Sequence, residues 1–282
     1  MMTRRLLFLF LVSVSLCDLV AQDSKKTEPT NAKEAAAKEA AAKKAEADRV
    51  VNEKYAAMVA KVPADEQAWE RVLQGNLGSF YLPIHKRQKV KSQSNAWDFV
   101  RDDPKLPRVL LIGDSVSRGY TQAVRKRLAG KANVHRAPAN CGPTATGVKK
   151  LDVWLGQGDW DLIHFNFGIH DRKTPLKEYE ARLAEIVKRL KAAGDKVVWA
   201  SSTPIPDDWK SQANLGKSMV ERNAVAAKLM KEQGVTMNDL FAFISPQLKE
   251  TQNPRDVHFN SEGYNRLGGQ VARTIERALN GE

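Results

Sequence analysis

The chain has 282 residues, 42% hydrophobic and 28% charged, which is enough apolar material for one full α/β core plus an extension. Two cysteines, one of them in a segment expected to be removed, exclude a disulfide framework. The net charge of +12 first suggests nucleic acid, but the basic residues are scattered, no nucleic-acid motif is present and the N-terminus reads as an export signal. An anionic polysaccharide or envelope surface is the more natural partner, unless the charge serves only solubility.

The N-terminus reads Met1-Met-Thr-Arg-Arg5, then an almost wholly apolar run from Leu6 to Leu16, then Leu19-Val-Ala21. That is a signal-peptide pattern over residues 1–21, with cleavage expected after Ala21; the apolar run is too short for an ordinary membrane span. Lipidation at Cys17 is disfavoured, because the preceding Leu16 is large. Loss of the signal leaves Cys141 alone, a small packing residue beside Gly142. Residues 22–64 read as a solvated helical spacer. Its repeat, Asn31-Ala-Lys-Glu-Ala-Ala-Ala-Lys-Glu-Ala-Ala-Ala-Lys43, has the best helix former and sets Glu34 before Lys38 and Glu39 before Lys43 in favourable i,i+4 order. Residues 65–107 form a lead-in whose Trp69, Leu73, Leu77, Phe80, Tyr81, Trp97 and Phe99 either pack on the domain or line a cleft. Its basic run His85-Lys-Arg-Gln-Lys-Val-Lys91 reads as a solvated loop.

From Arg108 to Glu282 strands and helices alternate. Candidate strands are Val109–Ile112, Asn133–Arg136, Leu162–Phe167, Lys196–Ser201 and Val235–Asn238. Candidate helices are Arg118–Leu128, Thr146–Leu155, Leu176–Ala193, Lys217–Gln233 and Glu262–Leu279. The third of these helices shows a single apolar face, with Gly194 in the C-cap position. This alternation predicts a parallel sheet of about five strands with helices on both faces, a three-layer α/β/α arrangement in the flavodoxin-like order 2-1-3-4-5.

In Gly113-Asp-Ser115 a buried strand turns into a helix, which projects a serine hydroxyl beyond the carboxyl edge of a sheet beside helix N–H groups that can hold an oxyanion. The same residues also suit simple helix capping. Three later segments join it: Asn140-Cys-Gly-Pro-Thr144, Phe165-Asn-Phe-Gly-Ile-His-Asp171 and Asp256-Val-His258, the last just before a helix capped by Asn260 or Ser261. Together the four blocks resemble those of the SGNH, or GDSL-type, hydrolases, over the span from about Arg108 to the C-terminus.

The resemblance implies an ester hydrolase with Ser115 as nucleophile, in preference to Ser117, and His258 as base. It implies an oxyanion hole of the Ser115 N–H, the Gly142 N–H and a side chain of the third block. Two positions depart from the family pattern. The acid usually stands three residues before the histidine, where this chain has Arg255; either Asp256 orients His258, or the Arg255 carbonyl does so in a Ser-His dyad. The third block has His170 where the family has asparagine, so the donor is either the His170 imidazole or the amide of Asn166. Trp209, in the segment after the fourth strand, either stacks on a sugar ring or anchors packing. His164, His170 and Asp171 match no trusted metal spacing, so neither a metal nor another cofactor is expected. The expectation is an exported esterase acting on O-acetyl groups of carbohydrate. The alternatives are lipid or lysophospholipid esters, or a catalytically weak binding domain.

Overall fold

The computed structural model describes residues 28–206, 209 and 215–282. The expected signal peptide, its cleavage site and Cys17 lie outside the described residues. By contacts the chain divides after Glu53, ahead of the spacer boundary at 64/65 read from the sequence. The first unit holds most of helix α1 (Glu28–Val59). Every residue from Ala32 to Ala47 is exposed, and Glu39 pairs with Lys43 at 2.6 Å as the repeat predicts. A helix with no buried face over this stretch draws its order from propensity and i,i+4 pairs, not from a core.

In the second unit the lead-in forms two helices, α2 (Ala64–Asn76) and α3 (Gly78–Val90). Leu73, Leu77 and Trp97 are buried in a small core of their own, with Trp69, Tyr81 and Leu82 packed against it. The basic run is therefore not a solvated loop. His85 and Lys89 share one face of α3, and both meet Glu70 of α2: His85 Nε2 at 2.8 Å from Oε2 and Lys89 Nζ at 2.8 Å from Oε1. The Tyr55 hydroxyl adds a third bond to Glu70 at 2.6 Å. Burial alone would raise the Glu70 carboxyl, but the hydrogen bonds from His85, Lys89 and Tyr55 outweigh it and hold the group down at about 2.

The sheet has five parallel strands in the order β2-β1-β3-β4-β5. They are β1 (Arg108–Ile112), β2 (Asn133–Arg136), β3 (Trp160–Phe165), β4 (Gly194–Ala200) and β5 (Thr236–Asn238). The crossovers are α4 (Ser115–Arg127), α5 (Thr144–Leu155), α6 (Leu176–Ala193) and α7 (Leu215–Glu232). The short α8 (Leu240–Ile244) and α9 (Leu248–Thr251) precede α10 (Ser261–Asn280). Gly194 caps α6 as expected, its N–H donating to Leu190 O, but in an extended conformation with φ −147°, so the same residue opens β4.

Strand alternation divides the core into two layers. Val109 and Leu111 of β1 join Val116, Tyr120 and Val124 of α4 and Leu267, Val271 and Ile275 of α10 on one face. Leu110 and Ile112 join Leu151, Leu183, Ile186 and Val187 of α5 and α6 on the other. Because both faces are covered, β1 reads as a continuous apolar run. The order reverses between β1 and its neighbours β2 and β3, which puts the topological switch point at the carboxyl ends of β1 and β3.

Candidate active site

β1 ends at Gly113, and the chain enters α4 at once. Asp114 caps the helix, its carboxylate accepting from the Val116 N–H at 2.9 Å, so Ser115 becomes the first helical residue. Its N–H is one of the first-turn groups that have no carbonyl one turn back to bond. Ser117 faces inward instead. Its hydroxyl donates to Asp114 O at 2.9 Å and accepts from Arg136 Nη1 at 2.7 Å. That hydroxyl is committed to structure, whereas the Ser115 hydroxyl meets an imidazole.

The base is His258. Its Nε2 lies 2.8 Å from Ser115 Oγ, and its Nδ1 lies 2.9 Å from Asp256 Oδ1. Local chain geometry accounts for an acid two residues before the histidine. Asn253 O accepts from the Asp256 N–H at 3.2 Å, and Arg255 sits in the left-handed region with φ 55°. This tight turn swings the Asp256 carboxylate back toward the ring. The loop is clamped at its base, where Asn253 N–H donates to His258 O and Asn260 N–H to Thr251 O, both at 2.9 Å. Val257 and Phe259 are buried on either side of His258, which fixes the outward direction of the ring.

The second block lies against the serine turn, with Cys141 N–H donating to Gly113 O at 3.2 Å. Gly142 has φ 69°, a conformation that favours glycine, and it precedes α5. Burial pushes the Cys141 thiol up to about 12, as suits a packing residue and not a nucleophile. In the third block Asp171 is fully buried and pins the turn to α5, accepting from Thr144 N at 2.8 Å and Thr144 Oγ1 at 2.7 Å. His170 beside it is exposed.

Two candidate side chains act otherwise than as ligand-facing groups. Both amide hydrogens of Asn166 are engaged, with Ala200 O at 2.8 Å and Ser202 Oγ at 3.1 Å, so this amide ties β3 to the end of β4. Trp209 belongs to the core cluster with Ile205 and Leu215, and the Arg172 guanidinium covers its ring at 5.0 Å, which is the packing alternative. His164 is buried in the sheet beside Asn238, away from the exposed His170. Among the described residues no group of three His, Cys, Asp or Glu side chains gathers to hold a metal ion.

Arg136, at the end of β2, escaped the sequence reading. It is buried, and besides Ser117 it donates to Gly113 O and Asp114 O, each at 2.9 Å. Burial lowers its guanidinium from the ordinary range. The cation thus buttresses the turn that presents Ser115. The only trace in the sequence is a charged residue closing an otherwise buried strand.

A serine, a histidine and a carboxylate in hydrogen-bonded series, at the switch point of a 2-1-3-4-5 sheet, define a hydrolase-type site. Residues 111–266 match the GDSL-like Lipase/Acylhydrolase family, and the chain belongs to that family of ester hydrolases. No curated protein matches the chain. Among solved structures, it is similar to a lipase/acylhydrolase from Enterococcus faecalis at 18% identity and TM-score 0.56, covering 61% of this chain and 96% of that one. It is also similar to the acetylxylan esterase Axe2 from Geobacillus stearothermophilus at 18% identity and TM-score 0.50, over 62% and 95% of the two chains. The acetyl xylan esterase AlAXEase aligns at 14% identity and TM-score 0.52, over 60% and 99%. At these identities the likeness is one of fold.

Proposed function

We propose that the protein is an exported serine esterase that removes O-acetyl groups from carbohydrate through an acyl-enzyme. The reading is carried by the series Ser115 Oγ, His258 Nε2, His258 Nδ1, Asp256 Oδ1, with successive contacts of 2.8 and 2.9 Å. His258 Nε2 takes the Ser115 proton as Oγ attacks the ester carbonyl, while the His258 Nδ1–H keeps donating to the Asp256 carboxylate, which stabilises the imidazolium. The tetrahedral oxyanion is held by the Ser115 and Gly142 N–H groups, with the His170 imidazole as third donor. His258 then returns the proton to the departing alkoxide as the C–O bond breaks. Water, deprotonated by the same nitrogen, attacks the acyl-enzyme, releasing the carboxylic acid and restoring Ser115.

Three things support carbohydrate acetate as the substrate. Two of the similar folds are named acetylxylan esterases. The N-terminal sequence has the form of an export signal, and the strong positive charge suits an anionic envelope or polysaccharide surface. The test is a parallel screen of acetylated polysaccharides, short-chain aryl esters and lysophospholipids. Acetate release from polysaccharide and aryl acetate is expected. Turnover of lysophospholipid alone would overturn the carbohydrate reading.

A further inference from the structure

Helix α4 begins at Ser115 and carries no acidic residue along its length. Ser115, Arg118, Gln122 and Arg125 recur at i, i+3, i+7 and i+10, so they form one stripe. The far part of that stripe is tied down by the lead-in and by β2. Gln122 donates to Asn95 O, while Arg125 reaches Val134 O at 3.0 Å, Asn95 O at 3.2 Å and Asp98 O at 3.4 Å.

Arg118, one turn from the serine, is held differently. Its guanidinium lies 5.4 Å from the centre of the Tyr81 ring and 5.9 Å from that of Trp97, and its Nε is buried with no hydrogen-bond partner. Asp114, the nearest acid in sequence, directs its carboxylate to the Val116 N–H. Aromatic faces attract a cation but leave its N–H donors without acceptors. On the other side of the stripe, the Tyr264 ring of α10 rests on Gly119, where a methyl group would meet it at 2.0 Å. The Tyr264 hydroxyl feels the charges of Arg118, Asp114 and Asp256 together. Phe80, edge-on to Tyr81 at 4.8 Å, is 70% exposed.

A half-buried cation whose Nε has no hydrogen-bond partner, one turn from the nucleophile and over the Tyr81 ring that meets exposed Phe80, has the chemistry of a carboxylate receptor set near a sugar-stacking face. We propose that Arg118 recognises the carboxylate of a uronic acid, so that the substrate class is O-acetylated acidic carbohydrate. This rests on the carbohydrate-ester reading above and narrows it. Arg118 is assigned substrate recognition and no step of the chemistry. The lead-in thereby gains a role, since Tyr81 and Trp97 hold the cation one turn from Ser115.

The test compares acetate release from an O-acetylated galacturonide oligosaccharide and from the same oligosaccharide with its carboxylates converted to primary amides. The wild-type protein is expected to favour the carboxylate form by about tenfold in kcat/KM, a preference that shrinks as salt is added. Arg118→Gln should erase about tenfold of that ratio, mainly through KM, and Arg118→Lys should retain part of it. An unchanged ratio in Arg118→Gln overturns the proposal. So does a wild-type protein with no preference, a result that stands even if the variant folds poorly. Hydrolysis of aryl acetates with no acetate from either oligosaccharide overturns the carbohydrate reading as well, and inactivity on every ester overturns the esterase reading itself.

Discussion

Replacing Asp256 by Asn tests the part of the site where this chain leaves its family's spacing. The carboxylate lies 2.9 Å from His258 Nδ1, and the two side chains remain 39% and 37% exposed. With charge centres about 4 Å apart, a carboxylate and an imidazolium attract by about 4 kcal/mol at an effective dielectric of about 20, and by about half that with partial solvent screening. The neutral amide also permits the wrong tautomer, because its N–H₂ can donate to Nδ1 and leave an N–H facing Ser115. The expected loss in kcat is therefore about 2–3 kcal/mol, or about a hundredfold, with KM little changed. That is smaller than the loss of about ten-thousandfold known for a deeply buried triad aspartate. Steady-state hydrolysis of an aryl acetate by wild type and by Asp256→Asn measures it, with circular dichroism to verify the fold. A loss below about tenfold would mean that the Asp256 carboxylate only caps the loop and that a backbone carbonyl orients the ring.

Three further outcomes are expected. Arg136→Met should leave the Gly113 and Asp114 carbonyls and the Ser117 hydroxyl short of a buried donor, costing about 3 kcal/mol and lowering Tm by about 6–12 °C; an unchanged Tm contradicts the buttress. Burial lowers the His164 imidazole to about 4, so the unfolded chain binds the extra proton between roughly pH 6.5 and 4, and stability must fall as pH drops through that window by on the order of 3 kcal/mol. His164→Phe should flatten that part of a urea-unfolding series; an undiminished slope assigns the effect to other groups. A protein starting at Lys54 should unfold like the full chain, whereas one starting at Asp65 loses the Tyr55 bond to buried Glu70 and should be less stable by about 1–3 kcal/mol; equal midpoints would show that the bond adds nothing.

Much of the fold was legible because its signals are local. The run Val109–Ile112, the apolar face of Leu176–Ala193 and the cap before the last helix specify strands and helices without reference to the rest of the chain. The lead-in was not legible. Its helices hold a small core and depend on buried Glu70 and His85, which a pattern reading assigns to solvent, and the second runs through Pro83, which a pattern reading takes as a breaker. The four blocks marked Ser115 and His258, but the partner of His258 Nδ1 hung on the left-handed turn at Arg255, a conformation that residue type alone does not announce. Arg136 was hidden for a different reason. Its partners are two backbone carbonyls and two uncharged hydroxyls of another segment, none of which marks a buried cation in the sequence.

The central claim is that Ser115 carries the acyl group and His258 activates it. Labelling with a fluorophosphonate, followed by peptide mass spectrometry, tests it most directly. The account predicts one adduct, on Ser115, absent in Ser115→Ala and strongly slowed in His258→Ala, while Ser117→Ala still labels at Ser115. An adduct on Ser117, or ester hydrolysis that survives in a folded Ser115→Ala protein, would contradict it.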